Sequence, residues 1–370
     1  MKWQPWLELP VVTVTNANDR WLGCVLGGAV GDALGAPVEF DSLASIRRQV
    51  GTDRLTTWPA GAGAVTDDTQ MTLFTLEGLI RASVAARSGQ PADPVQALHR
   101  AYLRWLATQD GLGSTAGDDG WLVGEKVLHH QRAPGATCLG ALRSGRAGAA
   151  EDPLNNSKGC GGVMRAAPCG LMAEDPERAF ELGCASAALT HGHPSGWYPA
   201  GVLAATVCIE ARGTALPEAV KAARGLLHRR RGAGETAEAL ARAVGVAGLR
   251  RHMRPEDLEM LGAGWVGEEA LAIAVACALT AADQGPEWST PAEAILLAAS
   301  HSGDSDSTAA IAGNLLGAAW GMAALPEQWL RAIDVREIAE KLVNDAWAEW
   351  TAAQAGDPVD EAWRRRYPPG

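Results

Sequence analysis

Gly27, Gly31 and Gly35 fall four residues apart, a spacing that puts all three on one face of a helix. Glycine costs a helix interior about 1 kcal/mol relative to alanine. A stripe of it fits best where any side chain would hold off a neighbour. The stripe therefore predicts a helix whose backbone lies close against another. Asn18 or Asp19 can cap that helix, which should run from Arg20 to about Leu34 and stop at Gly35-Ala36-Pro37. Gly31-Asp32 can also bring backbone close to a site.

The rest of the chain reads the same way. Alanine and glycine dominate, Phe and Tyr number three each, and strand formers rarely cluster. A second helix should start at Thr66 and run through Met71, Leu73, Leu76, Leu79 and Ile80. Others are expected around Pro94–Ala107, Pro176–Ala188, Pro199–Ala211, Pro217–Leu227, Thr236–Val244, Glu268–Ala282, Pro291–Ala299, Asp306–Ala323 and Val335–Ala355. Proline near several starts suits the first helical turn. No strand–helix alternation supports a parallel sheet, so the fold class is all-α. No fixed-period repeat and no linker divides the chain. One domain is expected over residues 17–350, with terminal extensions at 1–16 and 351–370 and a loosely held tail from Gly356.

Charged residues at 20 % and hydrophobic ones at 47 % exclude a disordered or membrane composition. No apolar run reaches the ~20 residues of a spanning helix, and Met1–Pro10 lacks the apolar region of a secretory signal. The seven cysteines include no Cys-x-x-Cys pair, which fits reduced thiols in a cytoplasm. A net charge of −11 repels phosphate backbones, so neither a membrane nor nucleic acid is an expected partner. The basic run His228-Arg229-Arg230-Arg231 reads as a solvated helix end.

Two acidic clusters carry the chemistry: Thr66-Asp67-Asp68 and Asp304-Ser305-Asp306. Each precedes a helical run, so each alone reads as an ordinary helix cap. Together they offer four carboxylates with hydroxyls at Thr66, Ser305, Ser307 and Thr308. If they converge, the like charges need a cation, and oxygen ligands select Mg²⁺, Mn²⁺ or Ca²⁺ over zinc. The segment Asn155 to Arg165 sets three glycines around Ser157 and Lys158 before an apolar run. Glycine N–H groups there can cradle a phosphate, although the order is not that of a Walker loop. In Thr190-His191-Gly192-His193-Pro194 a hydrogen-bonding or stacking role fits better than zinc ligation. Glu39 alone reads as a solvated residue. Of fourteen tryptophans, Trp121, Trp197 and Trp265 lie near Gly-rich turns and can stack on a flat ligand.

These segments, in this order, resemble the ADP-ribosylglycohydrolase (ADP-ribosylhydrolase) family, of the dinitrogenase-reductase-activating glycohydrolase type. Gly23 to Glu39 resembles the family's opening. Thr66-Asp67-Asp68-Thr69 resembles its first metal motif, and Asn156 to Pro168 its Gly-rich loop. Leu189-Thr190-His191 and Gly264 to Leu271 match further signatures, and His301 to Thr308 resembles the second metal motif. The resemblance spans roughly residues 20 to 345.

It implies an all-α orthogonal bundle that holds two divalent cations, Mg²⁺ or Mn²⁺. The implied ligands are Thr66, Asp67, Asp68, Asp304, Asp306 and Ser307, with Ser307 standing where many members carry Thr. Glu39 matches the glutamate beside the ions, and Glu39, Asp67 and Asp304 are the implied catalytic groups. Ser157, Lys158, Gly159, Cys160 and Gly161 match the loop around the pyrophosphate and its ribose. Some members carry an aromatic at Lys158 and Asn at Cys160. His191 matches a ligand-contacting histidine. The implied activity is cleavage of the glycosidic bond between ADP-ribose and an acceptor. Arginine of a modified protein is the preferred acceptor. An O-linkage (serine, poly(ADP-ribose) or O-acetyl-ADP-ribose) is the alternative, and a non-catalytic ADP-ribose-binding or structural role is a third. The expected partner is an ADP-ribosylated protein or a small ADP-ribose conjugate.

Overall fold

In the computed structural model the described residues are 17–110, 120–249, 252–284 and 291–369. The expected extension 1–16, with its absent signal, lies outside them. The α-helices run in chain order as α1 (Ala17–Gly35), α2 (Leu43–Val50), α3 (Asp67–Arg87), α4 (Pro94–Gln109), α5 (Ala136–Arg143) and α6 (Ala167–Met172). They continue as α7 (Pro176–Ala188), α8 (Pro194–Ala211), α9 (Leu216–Leu227), α10 (Gly234–Leu249), α11 (Pro255–Glu259) and α12 (Gly267–Gln284). The last five are α13 (Pro291–Ala298), α14 (Ser305–Trp320), α15 (Glu327–Leu330), α16 (Arg336–Ala355) and α17 (Glu361–Arg366). Among the described residues there is no strand, only an isolated antiparallel bridge between Gly159 and Val266. The fold is all-α, as the sequence pattern leads one to expect.

The glycine stripe sets the centre. A methyl on Gly23 would lie 2.5 Å from the carbonyl oxygen of Gly317. Methyls on Gly27, Gly31 and Gly35 would run into the carbonyls of Gly313, Ala309 and Ser305. As the α1 position advances by four the α14 position falls by four, so the two helices pack antiparallel with backbones almost touching. This register brings the N-terminus of α14, with Asp304 and Asp306, beside the C-terminal half of α1, with Asp32, and the turn after it, with Glu39. Helix α1 is long and apolar enough to cross a bilayer, but 83 % of that window is buried inside the protein. It is the core helix, with Cys24, Val25, Leu26, Val30 and Leu34 fully enclosed.

Three expectations are corrected. Helix α8 starts at Pro194 and carries Pro199 within it. His193 Nδ1 accepts the N–H of Ser195 at 3.1 Å and so caps the helix. Proline at 199 leaves the Ser195 carbonyl without its helical donor, and Gly267 packs there: a methyl on it would sit 2.8 Å from that oxygen. The tail is not loose. Tyr367 is fully buried, its hydroxyl donates to Asp345 at 2.5 Å, and Arg81 Nε donates to the Pro368 carbonyl at 2.7 Å. Trp121 serves the same packing, donating from Nε1 to the Tyr367 hydroxyl at 3.1 Å under the Lys341 ammonium. It is no ligand platform. Arg229 and Arg230 of the basic run pair with Glu177 at the surface, as a solvated helix end should.

Candidate active site

Asp32 joins the pieces. It is a fully buried carboxylate inside the apolar α1. Both its oxygens accept the Thr66 N–H at 3.0 Å, and Oδ2 accepts from Thr69 N at 3.0 Å and Thr69 Oγ1 at 2.5 Å. These bonds dock the N-terminus of α3 onto α1. Thr66 caps α3 and donates from Oγ1 to Asp306 Oδ2 at 3.3 Å, across 240 residues of sequence. The two acidic motifs therefore converge. Asp67 Oδ2 accepts the Gly135 N–H at 3.2 Å. Asp304 caps α14, accepting from Ser307 N at 3.3 Å, and Asp306 Oδ1 accepts the same N–H at 2.9 Å. Asp68 Oδ2 is buried with no partner.

These groups line a cavity of about 320 Å³ whose walls include Glu39, Phe40, Asp67, Asp68, Cys160, His191, Trp265, Asp304, Asp306 and Ser307. Burial is the first cause of the electrostatics, and repulsion among the carboxylates the second. Asp32 is pushed up to about 7 by burial and by Asp306. Glu39 is pushed up to about 10 by burial and by Asp306, Asp304 and Asp67. Burial likewise raises Asp67, Asp68 and Asp304 well above the usual carboxylate range, and raises Asp306. No ion pair with Lys or Arg among the described residues offsets this crowding.

Among the described residues no three side chains already cage an ion. The donor set nevertheless fits a hard divalent cation: crowded carboxylates, flanking hydroxyls, an orphaned Asp68 oxygen and no Lys or Arg partner among the described residues. Uncompensated buried charge is costly, and a cation removes that cost.

The Gly-rich loop is brought in only in part. The Cys160 N–H donates to the Trp265 carbonyl at 3.2 Å and Gly267 N donates to the Lys158 carbonyl at 2.8 Å, which zips the loop to the segment before α12. Cys160 Sγ donates to Asp304 Oδ2 at 2.7 Å, and burial raises its thiol. Gly159 and Gly161 line the cavity. Ser157 Oγ shares a 3.0 Å hydrogen bond with Thr137 and accepts from Gly159 N. Lys158 is not brought in: its ammonium is held by Glu235 at 2.5 Å on the surface, with Glu268 4.0 Å away. His191 is buried on the cavity wall, while His193 caps α8. Trp197 packs on Tyr198 in a second cleft, and Trp265 alone of the three tryptophans stands at the cavity mouth.

Sequence reasoning missed three features. Asp32 carried a signal, a lone charge within an apolar helix run. The Ala133–Thr137 wall carried none. Phe40 carried none either, yet it is 70 % exposed at φ 70°, stacked on Trp265 with ring centroids 5.2 Å apart.

The profile of the ADP-ribosylglycohydrolase family matches residues 13–356. The chain belongs to this family. Family members hydrolyse ADP-ribose linkages, which makes this chain a hydrolase of that class. It is similar to ADP-ribosylhydrolase ARH3 of Mus musculus, 25 % identical over 362 residues, covering 90 % of this chain and 92 % of that one. ARH3 of Bos taurus is 25 % identical over 355 residues, covering 88 % and 91 %. ADP-ribosyl-[dinitrogen reductase] glycohydrolase of Rhodospirillum rubrum is 47 % identical, but over 66 residues, 17 % of this chain and 22 % of that relative. So short a match does not assign the dinitrogenase-reductase subtype to this ADP-ribosylglycohydrolase. A solved structure titled ADP-ribosylglycohydrolase-related protein complex superposes with a TM-score of 0.60 at 25 % identity, covering 91 % of this chain and all of that one.

Proposed function

We propose that this chain is a binuclear divalent-metal hydrolase that releases ADP-ribose from arginine of a modified protein or from a small conjugate. The convergence of Thr66-Asp67-Asp68 with Asp304-Ser305-Asp306 around Glu39 carries the reading. Thr66, Asp67, Asp68, Asp304, Asp306 and Ser307 would hold two cations, Mg²⁺ or Mn²⁺. The ions, when bound, supply charge for the ribose hydroxyls and acidify water.

The chain's own groups do the rest. Hydrolysis adds water oxygen to the anomeric carbon and breaks the bond to the acceptor nitrogen, through an oxocarbenium-like state. Glu39, half-buried over the carboxylates, transfers the proton between water and the leaving guanidine. Asp67 and Asp304 orient the water. The 159–161 loop and His191 line the part of the cavity left for the rest of the ligand. Arginine is supported by the mouth: the stacked Phe40 and Trp265 offer a flat aromatic surface above acidic walls, which suits a planar cationic guanidinium.

A second reading, O-linked ADP-ribose, draws support from the ARH3 relatives, which align over nearly the whole chain. The deciding assay offers ADP-ribosyl-arginine, ADP-ribosyl-serine, poly(ADP-ribose) and O-acetyl-ADP-ribose, each with Mg²⁺, Mn²⁺ or chelator. Arginine release that stops in chelator is expected. Turnover of only the O-linked substrates selects the second reading, and cation binding without turnover selects a non-catalytic role. Asp304→Ala and Asp306→Ala should each lower turnover on the order of 10²-fold or more; near-normal rates in either would sink the scheme.

A further inference from the structure

Arg165 is fully buried, and among the described residues no carboxylate pairs with it. Its guanidinium lies over the Tyr102 ring, 4.2 Å from the centroid, and Nη1 donates to Cys138 Sγ at 3.3 Å. Nη2 donates to the Ser186 carbonyl at 3.2 Å and to Thr190 Oγ1 at 2.7 Å. A buried cation is costly unless satisfied, yet this one is spent on neutral partners next to the cavity wall. The Thr190 bond has a consequence one residue on, because Thr190 Oγ1 also lies 2.9 Å from His191 Nδ1.

The hydroxyl has one proton to give. Arg165 N–H already occupies one lone pair of Oγ1. If His191 Nδ1 also donated to Oγ1, the hydroxyl proton would be left with the Ala187 carbonyl at 3.4 Å, a weak bond. If the hydroxyl instead donates to Nδ1, its proton goes into the 2.9 Å contact rather than the 3.4 Å one. The adjacent guanidinium also polarises the hydroxyl as a donor. We infer that Arg165, through Thr190, is a positioning residue that fixes His191 as the Nε2–H tautomer, so that His191 presents a permanent N–H donor to the cavity.

The ring's outer edge is placed for that role. A methyl on Gly159 or Gly161 would lie 3.2 or 3.3 Å from Nε2, so the glycine loop runs beside this nitrogen on the cavity wall. Burial and the nearby guanidinium push the His191 pKa down to about 3. The ring stays neutral across the physiological range, and its donor strength does not vary with pH. A neutral donor beside acidic walls recognises an oxygen acceptor, a phosphate or ribose oxygen, without adding a charge. That ligand assignment rests on the proposed function; the tautomer does not.

The test uses the full chain labelled with ¹⁵N at histidine, in a long-range ¹H–¹⁵N correlation spectrum without ligand. His191→Gln identifies the signal by its loss. A protonated Nε2 and a bare Nδ1, unchanged from pH 5 to 8, are expected. A protonated Nδ1 in the unmodified protein would overturn the inference with no variant needed. Thr190→Val should admit the other tautomer and weaken ADP-ribose binding about tenfold, the size of one hydrogen bond. Thr190→Ser should restore both. An unchanged spectrum in Thr190→Val overturns the relay. The expected tautomer in a protein that fails to bind ADP-ribose upholds the relay and counts against the functional reading instead.

Discussion

Phe40 is the residue whose environment says most for its size. A non-glycine residue at φ 70° carries strain on the order of 1–3 kcal/mol. Two backbone bonds hold it there: Phe40 N donates to the Gly303 carbonyl at 3.2 Å, and Gly303 N to the Asp41 carbonyl at 3.3 Å. The side chain covers no core; it stacks on Trp265 at the cavity mouth. Phe40→Gly should therefore leave stability unchanged or raise it by about 1 kcal/mol, since relieved strain offsets a stack worth ~0.5–1.5 kcal/mol. The same change should raise KM for ADP-ribosyl-arginine about tenfold with kcat kept, as losing a cation–π contact would. Thermal unfolding and steady-state kinetics check both halves, and an unaltered KM removes Phe40 from acceptor binding. Nothing in a sequence marks a phenylalanine for positive φ, because the cause is a pair of backbone bonds to residue 303 and its neighbours. Glu39 and the four aspartates were legible as residue types. Lys158 was legible as a type too, but Glu235 captures its ammonium, and no spacing reveals that a loop lysine meets a partner on α10.

At the scale of elements, the α1–α14 contact decides where the chemistry sits. Gly27 meets the Gly313 carbonyl, a backbone atom that cannot swing aside. Gly27→Ala should destabilise by about 1–3 kcal/mol or more, as overpacking does. It should also weaken cation binding, because α14 carries Asp304 and Asp306. Gly245 lies exposed in α10 with open space around its would-be methyl, so Gly245→Ala should stabilise by about 0.5–1 kcal/mol. Denaturant titration of the pair separates close packing from helix propensity; equal effects would deny the stripe its role. The stripe itself was legible, as were the helices with proline or acidic starts, such as α4 and α7. Among the helices of four to eight residues, α13 was legible from Pro291, but α2, α5, α6, α11, α15 and α17 were not. One or two turns carry too little periodicity to stand out from a loop. Pro199 misplaced the start of α8 because its cost is met by a neighbouring element.

For the whole molecule, the fold holds crowded carboxylates that no Lys or Arg among the described residues neutralises, and this ties stability to pH and to metal. Two helix N-termini far apart in sequence meet only because α1 docks on both α3 and α14, so their convergence could not be read from spacing. The folded pKa values lie above the unfolded ones: about 7 for Asp32 and about 10 for Glu39, with Asp67, Asp68, Asp304 and Asp306 also raised. Above the ordinary carboxylate range near 4, the folded state binds more protons than the unfolded one. Stability is then fully present only below the unfolded value near 4 and falls as pH rises from there through the folded values. Without divalent cation, the unfolding midpoint should drop between pH 5 and pH 8. Mg²⁺ or Mn²⁺ should restore it, by about 2.7 kcal/mol at a hundredfold excess over Kd. The gain should be larger at pH 8, where the ligands have lost their protons. Asp306→Asn removes one of the repelling charges and one ligand together. It should raise the cation-free midpoint at pH 8 while shrinking the response to metal. Calorimetry with and without chelator measures all of these, and a midpoint that ignores metal at both pH values would break the link between the buried acids and a cation.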